Sequence, residues 1–167
     1  MEIFRDYLTT PLGLLQLNAC DEGMVSVLFD NQFKRAEQEI LSPHHPVIAM
    51  ARLQLQQYFE RQRTVFDLPL KSSGTVFYLS VWDELRKIEY GKTLTYKALA
   101  SKLGNKDAVR AVALAVGRNR LNIIIPCHRV VGSDGSLRGY AGGLHRKAWL
   151  LEFEKQGNHQ LSFHLPL

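Results

Sequence analysis

The stretch Ile123-Ile124-Ile125-Pro126-Cys127-His128-Arg129-Val130-Val131 constrains this chain more than any other. Three isoleucines and two valines in near-continuous order read as a β segment buried on both faces, so the fold must supply apolar layers around it. A thiol, an imidazole and a guanidinium interrupt the run together. Pro126 fixes its own φ and biases Ile125 toward extended backbone, which delivers Cys127 at one rigid point. A cysteine in such a run is more often inert packing. His128 favours the other reading, because an imidazole beside a thiol is the minimum equipment for making thiolate at neutral pH. Neighbouring residues of an extended chain point to opposite faces. The pair therefore touches only if the chain turns at Cys127; the extended reading predicts a proton carried between them by water.

Upstream, residues 3–9 and 13–20 alternate apolar and polar side chains around Thr10-Pro11-Leu12-Gly13, and Met24–Phe29 follows a break at Asp21-Glu22-Gly23. This predicts a meander of three short strands. After Pro46 the apolar spacing fits an amphipathic helix ending near Arg61. No chemistry shows in this half: Cys20 reads as structural, and His44 and His45 read as solvent-exposed loop residues. The segment 66–74 is the natural boundary, giving an N-terminal domain over 1–70 and a C-terminal one over 74–167.

In the second half Thr75 is placed to cap a helix running to Tyr90-Gly91, with Trp82 in the core. Thr95 caps a short helix to Leu103, Gly104 ends it, and Asn105 opens another from about Asp107 to Val116. Two short helices joined through a glycine make a helix-turn-helix candidate, a pattern any helical hairpin shares. Ala108, Ala111, Ala113 and Ala115 keep the second helix slim, either for tight packing or for close approach to a groove, with Arg110 in its first turns. Asn119 is suited to hold the following bend through its side-chain amide. Gly139–Gly143 reads as a flexible loop, and a final helix spans about His145 to Lys155 with Glu154 on an exposed face.

Charge adds a partner class. The net charge is +5 and the sequence pI about 9.3. Between Arg86 and Arg129 ten Lys/Arg face only two acids, Glu89 and Asp107, so the excess surrounds the reactive segment and favours nucleic acid over a merely solvated face. No apolar stretch is long enough to span a bilayer, and Met1–Arg5 lacks the order of a signal peptide, so the expected location is the cytoplasm. Cys20 and Cys127 are too few for a disulfide framework or a thiolate-rich zinc site, and no cofactor or metal is expected.

Taken together, Pro126-Cys127-His128-Arg129-Val130, Arg110-Ala111-Val112 and Asn119 upstream, and Gly139-Tyr140-Ala141-Gly142-Gly143 downstream resemble the O6-alkylguanine-DNA alkyltransferase family. The likeness runs through the C-terminal half to Trp149-Leu150-Leu151 and Glu154, and more faintly through Thr10–Gly13 and Tyr58-Phe59. It implies an α+β protein: a small ribonuclease-H-like α/β domain, then a mostly helical domain with a winged helix-turn-helix. By that resemblance Cys127 accepts the alkyl group of O6-methylguanine in duplex DNA, irreversibly and once per molecule, with O4-methylthymine also a substrate. His128 takes the thiol proton through water, Glu154 orients it, and Asn119 holds the bend. Tyr96 donates to the departing guanine, and Arg110, beside Ala111, fills the gap left by the flipped base. Val130, Tyr140, Ala141, Gly142 and Gly143 line the base pocket. The expected partner is duplex DNA carrying alkylated guanine, met by a monomer, with cooperativity on DNA left open. Ala141 stands where the family often has Ser, which opens the question of substrate range. A non-catalytic damage sensor and a cysteine hydrolase are the rival classes; retention of Cys127 argues against the first, and the lack of an acyl pocket against the second.

Overall fold

The computed structural model describes residues 1–163, with side chains through residue 158. The chain divides into two units, Met1–Ser73 with Arg120–Ile124, and Gly74–Asn119 with the segment from Ile125 onward.

In the first unit the predicted meander forms as β1 (Phe4–Thr10), β2 (Gly13–Cys20) and β3 (Gly23–Phe29), antiparallel in the order β1-β2-β3. Thr10 Oγ1 closes the first turn, donating to the Gly13 carbonyl at 2.7 Å and accepting from Leu12 N at 3.1 Å. Leu15, Leu17, Met24, Val27 and Phe29 are buried with Ile48, Ala51, Leu55 and Tyr58 of α1 (Pro46–Phe59). Burying side chains of this kind contributes roughly 1.5–3 kcal/mol each, which makes this small sheet viable. One expectation fails here. His45 is not a solvent-exposed loop residue: its ring stacks on Phe4 at 4.1 Å, and its Nε2 lies 3.2 Å from Asp21 Oδ1. The meander brings these partners to it from 24 or more residues away, a distance over which local sequence carries no signal.

The segment Arg120–Ile124 belongs to this unit because it pairs with β3. Val27 N donates to the Arg120 carbonyl at 2.8 Å, and Asn122 Nδ2 donates to the Val27 carbonyl at 2.8 Å. The nine-residue apolar run is buried as expected, yet it is not a continuous strand. Ile123 takes φ +71°, a conformation that costs a β-branched residue on the order of 1–3 kcal/mol and persists where the surroundings over-determine it. Beyond it, Cys127 N donates to the Ile125 carbonyl, residues Cys127–Arg129 form a single 3-10 turn, and only Val130–Val131 (β5) are extended, parallel to β4 (Leu94–Thr95). Burial was legible in the composition. The turn was not, since side chains outside the run impose it.

The second unit opens with α2 (Val76–Arg86), capped by Thr75 Oγ1 accepting from Tyr78 N, and continues with α3 (Tyr96–Lys102), capped by Thr95 Oγ1 accepting from Ala98 N. Each cap contributes about 1 kcal/mol. The first of these helices stops a turn short of the expected Tyr90-Gly91. Gly104, at φ +82°, ends the α3 segment, and α4 (Val109–Gly117) completes the helix-turn-helix. Trp82 is buried and its Nε1 donates to the Ala115 carbonyl at 2.8 Å, which ties α2 to α4. The alanine face divides: Ala115 is buried with Val112 and Val116, whereas Ala111 and Ala113 are exposed. The last helix, α5 (Leu144–Phe163), is longer than predicted, and Glu154 lies not on an exposed face but 1% exposed in the interior.

Candidate active site

Every side chain of the candidate site lies in the second unit. The bend after α4 positions the thiol. Asn119, 3% exposed, donates from Nδ2 to the Ile125 carbonyl at 2.9 Å and to Cys127 Sγ at 3.2 Å. One amide therefore holds both the turn and the thiol, and Pro126 adds no competing N–H.

Behind Cys127 the 3-10 turn swings His128 and Arg129 inward onto α5. His128 Nε2 lies 2.7 Å from Glu154 Oε1, while Arg129 donates from Nε to Glu154 Oε2 and from Nη2 to Oε1, both at 2.9 Å. Arg129 Nη1 also donates to the Ile88 carbonyl at 2.6 Å. Burial works against a charged Glu154, but His128 and Arg129 outweigh it and hold the carboxyl well below the usual carboxylate range. Burial likewise pushes His128 down, and the attraction of Glu154 only partly offsets it. With Arg129 already supplying a fixed cation, the coherent state is an ionised Glu154 and a neutral His128 donating from Nε2. The Nδ1 lone pair then has no protein partner among the described residues.

Burial raises the Cys127 thiol, and the Asn119 hydrogen bond, the Lys147 charge and backbone N–H groups pull it back. Lys147 belongs to this cluster although no sequence pattern marks it. It is fully buried on α5, donates to the Arg138 carbonyl at 2.7 Å and lies 3.4 Å from Tyr96 Oη. Burial pushes it down to about 8, and the nearby thiol favours its charged form. Lysines are almost never fully buried without a task, but nothing in the local sequence distinguishes Lys147 from a surface cation. The motif alone gives Arg129 no role; its bidentate hold on Glu154 supplies one.

Tyr96 caps the same cluster, its Oη donating to the Arg138 carbonyl at 3.1 Å. Tyr96 also lines a cavity of about 560 Å³, with Arg110, Ala113, Asp134, Tyr140 and Ala141 among others; Cys127 is not one of its lining residues. Of the expected pocket residues, Tyr140 and Ala141 line it; Val130, Gly142 and Gly143 do not. Val130 is buried beside the 3-10 turn, and the Gly142 carbonyl accepts from the buried Arg146 Nη1 at 3.0 Å. The glycine segment is a closed turn, with Gly143 N donating to the Tyr140 carbonyl at 2.8 Å, rather than a loose loop. Arg110 and Ala111 are exposed on α4, Arg110 lining the cavity and Ala111 outside it.

A buried, positioned thiol beside a neutral His128 backed by an ionised Glu154, with the Lys147 cation nearby, suits nucleophilic attack by sulfur. Residues 3–72 match the ribonuclease-like domain of 6-O-methylguanine DNA methyltransferase, and residues 76–156 match its DNA-binding domain. The chain is 42% identical to a methylated-DNA–protein-cysteine methyltransferase of Methanosarcina barkeri, over 92% of this chain and 98% of that one. It is 38% identical to the Haemophilus influenzae protein of the same name, over 92% and 87%. The structure of Mycobacterium tuberculosis OGT in complex with DNA superposes with a TM-score of 0.83 at 38% identity, covering 92% of this chain and 94% of that one. The chain belongs to the 6-O-methylguanine-DNA methyltransferase family, whose activity is transfer of an alkyl group from methylated DNA to a protein cysteine. No helix among the described residues is long and apolar enough to cross a membrane.

Proposed function

We propose that Cys127 is the acceptor: its sulfur attacks the saturated carbon on O6 of a methylated guanine in duplex DNA, the C–O bond breaks, and a thioether forms. The observation that carries this reading is the single amide of Asn119, which holds Cys127 Sγ while the Glu154-backed His128 sits in the same turn. Neutral His128 receives the thiol proton at Nδ1, through a water, and Glu154 stabilises the imidazolium as it forms. Tyr96 gives a proton to the departing guanine, whose negative charge develops as the bond breaks. Lys147, next to the Tyr96 hydroxyl and in the field of the thiol, stabilises the thiolate as it forms. Arg110 occupies the gap of the flipped nucleotide, offsetting an unstacking cost of roughly a few kcal/mol. The cavity between α4 and the 132–141 segment holds the base, and O4-methylthymine fits the same chemistry. No group near Cys127 is placed to hydrolyse a thioether, so each molecule acts once, in the cytoplasm, as a monomer.

The test is intact mass and peptide mapping after mixing the protein with duplex DNA carrying one O6-methylguanine. The protein gains the mass of one methylene, saturating at one per molecule, on the peptide containing Cys127. A bound lesion with no mass gained would make the chain a sensor and remove the roles given to His128 and Glu154.

The Lys147 assignment has its own signature in pH. Because burial brings this lysine to about 8, the single-turnover transfer rate falls as pH rises through that value and the cation is lost. Lys147→Arg, which stays charged, keeps its rate across that range. Lys147→Met is slower by on the order of a hundredfold at neutral pH, and its remaining rate no longer falls near pH 8. An unchanged alkaline limb in Lys147→Met would assign the titration to another group.

A further inference from the structure

The outer face of α4 carries one feature that neither packing nor the transfer chemistry uses. Val112, Ala115 and Val116 turn inward. Leu114 does not: it is 53% exposed, the only large apolar side chain on the solvent face of this helix. It lies four residues after Arg110 and four before Arg118, and positions four apart stack in one row along a helix. Arg110, Leu114 and Arg118 thus make a ridge about 12 Å long, cationic at both ends and apolar in the middle. Both arginines are exposed, and neither forms an ion pair among the described residues. The flanks are slim, with Ala111 on one side and Ala113 and Gly117 on the other, all exposed.

A lone exposed leucine is ordinary. One centred between two unpaired arginines on a shaved helix face matches a specific surface, a groove whose walls are anionic and whose floor is apolar sugar and base edge. The DNA minor groove has that character, and proteins that open it insert apolar side chains against base steps while cations hold the flanking phosphates. We infer that Leu114 is an apolar wedge in the minor groove, packing against the base step beside the flipped nucleotide, with Arg118 anchoring the ridge to a phosphate. The inference rests on the proposed reading that this face of α4 meets duplex DNA, and it adds that the helix levers the duplex with carbon as well as with charge. A wedge matters only where stacked base pairs must be opened. Its loss is felt on duplex substrate and not on a single strand.

The experiment compares Leu114→Ser, Leu114→Met and Arg118→Ala with wild type in single-turnover methyl transfer from O6-methylguanine, presented in a duplex and in an unpaired oligonucleotide of the same sequence. Leu114→Ser is slower by about tenfold on the duplex and within twofold of wild type on the single strand, as expected for losing one wedge contact. Leu114→Met restores most of the duplex rate. Arg118→Ala lowers duplex affinity and reduces the slope of log affinity against log salt by about one, whereas Leu114→Ser leaves that slope unchanged. Melting temperatures stay within about a few degrees of the wild-type value, since both side chains lie on the solvent face of the helix. Equal rates of Leu114→Ser and wild type on the duplex, or an equal loss on both substrates, would overturn the wedge. If wild type itself takes no methyl group from the duplex, the underlying reading fails instead, and the two failures cannot be confused.

Discussion

Cys127→Ala takes up no methyl group at any lesion concentration, while its fold and its binding to lesion duplex remain. The complete loss follows from chemistry: sulfur is the only atom in the cluster that combines low basicity with high nucleophilicity toward saturated carbon. The survival of the fold follows from the way the turn is held. Asn119 Nδ2 keeps the Ile125 carbonyl as acceptor when Sγ is gone, so the turn keeps its main clasp. The lost packing of one buried sulfur costs on the order of 1 kcal/mol. Intact mass after incubation reads the first outcome, thermal or urea unfolding the second, and fluorescence anisotropy with a labelled lesion duplex the third. Any methyl uptake by the alanine variant would place the acceptor elsewhere, with Cys20 the first peptide to inspect.

Glu154→Gln damages both stability and chemistry. Gln keeps the shape and removes the charge, leaving the Arg129 guanidinium, 5% exposed, inside the protein without a counter-ion. Breaking a buried pair in this way costs about 3–5 kcal/mol, enough to lower the melting temperature markedly. The carboxamide also fails to stabilise His128 as an imidazolium, and transfer slows by about a hundredfold or more. Measuring the rate at a temperature where circular dichroism shows the variant folded separates the two effects.

The same pair sets the acid behaviour. Glu154 has a folded pKa held below its ordinary value of 4.5, so its stabilisation is present above that pH and is lost as pH falls below it. His128 is held below its ordinary 6.5, so the unfolded chain takes up that proton first as pH falls through 6.5, and the fold loses stability there too. Wild-type stability therefore declines from about pH 6.5 downward and steepens below 4.5. In Glu154→Gln the steeper lower limb is missing, and urea midpoints collected across that range will show it. A variant with the wild-type slope below 4.5 would mean that other carboxylates carry the acid sensitivity.

What could be read in advance divides along a physical line. Thr75 and Thr95 were legible as caps because capping is a contact three residues long. The three strands of the meander were legible because alternation is local. The expected placement of Cys127 failed in form, since the turn there depends on an Asn119 amide eight residues away and a proline between them. Glu154 had no local mark of burial; its partners His128 and Arg129 are more than a helix length away, and only the likeness to a family brought it into the site. Lys147 escaped both routes, because the Arg138 carbonyl and Tyr96 hydroxyl that receive it are set by tertiary structure. His45 escaped for the same reason.

The left-handed Ile123 marks the place where the chain changes allegiance. On one side Arg120 and Asn122 are fastened to Val27 in the sheet of the first unit; on the other, Ile125 and Cys127 are fastened to Asn119 in the second. The Cys127 thiol thus sits at one end of a short segment held at both ends, with the stiff Pro126 directly before it. An N-terminal half without chemistry of its own therefore fixes the backbone at Asn122, five positions ahead of the sulfur.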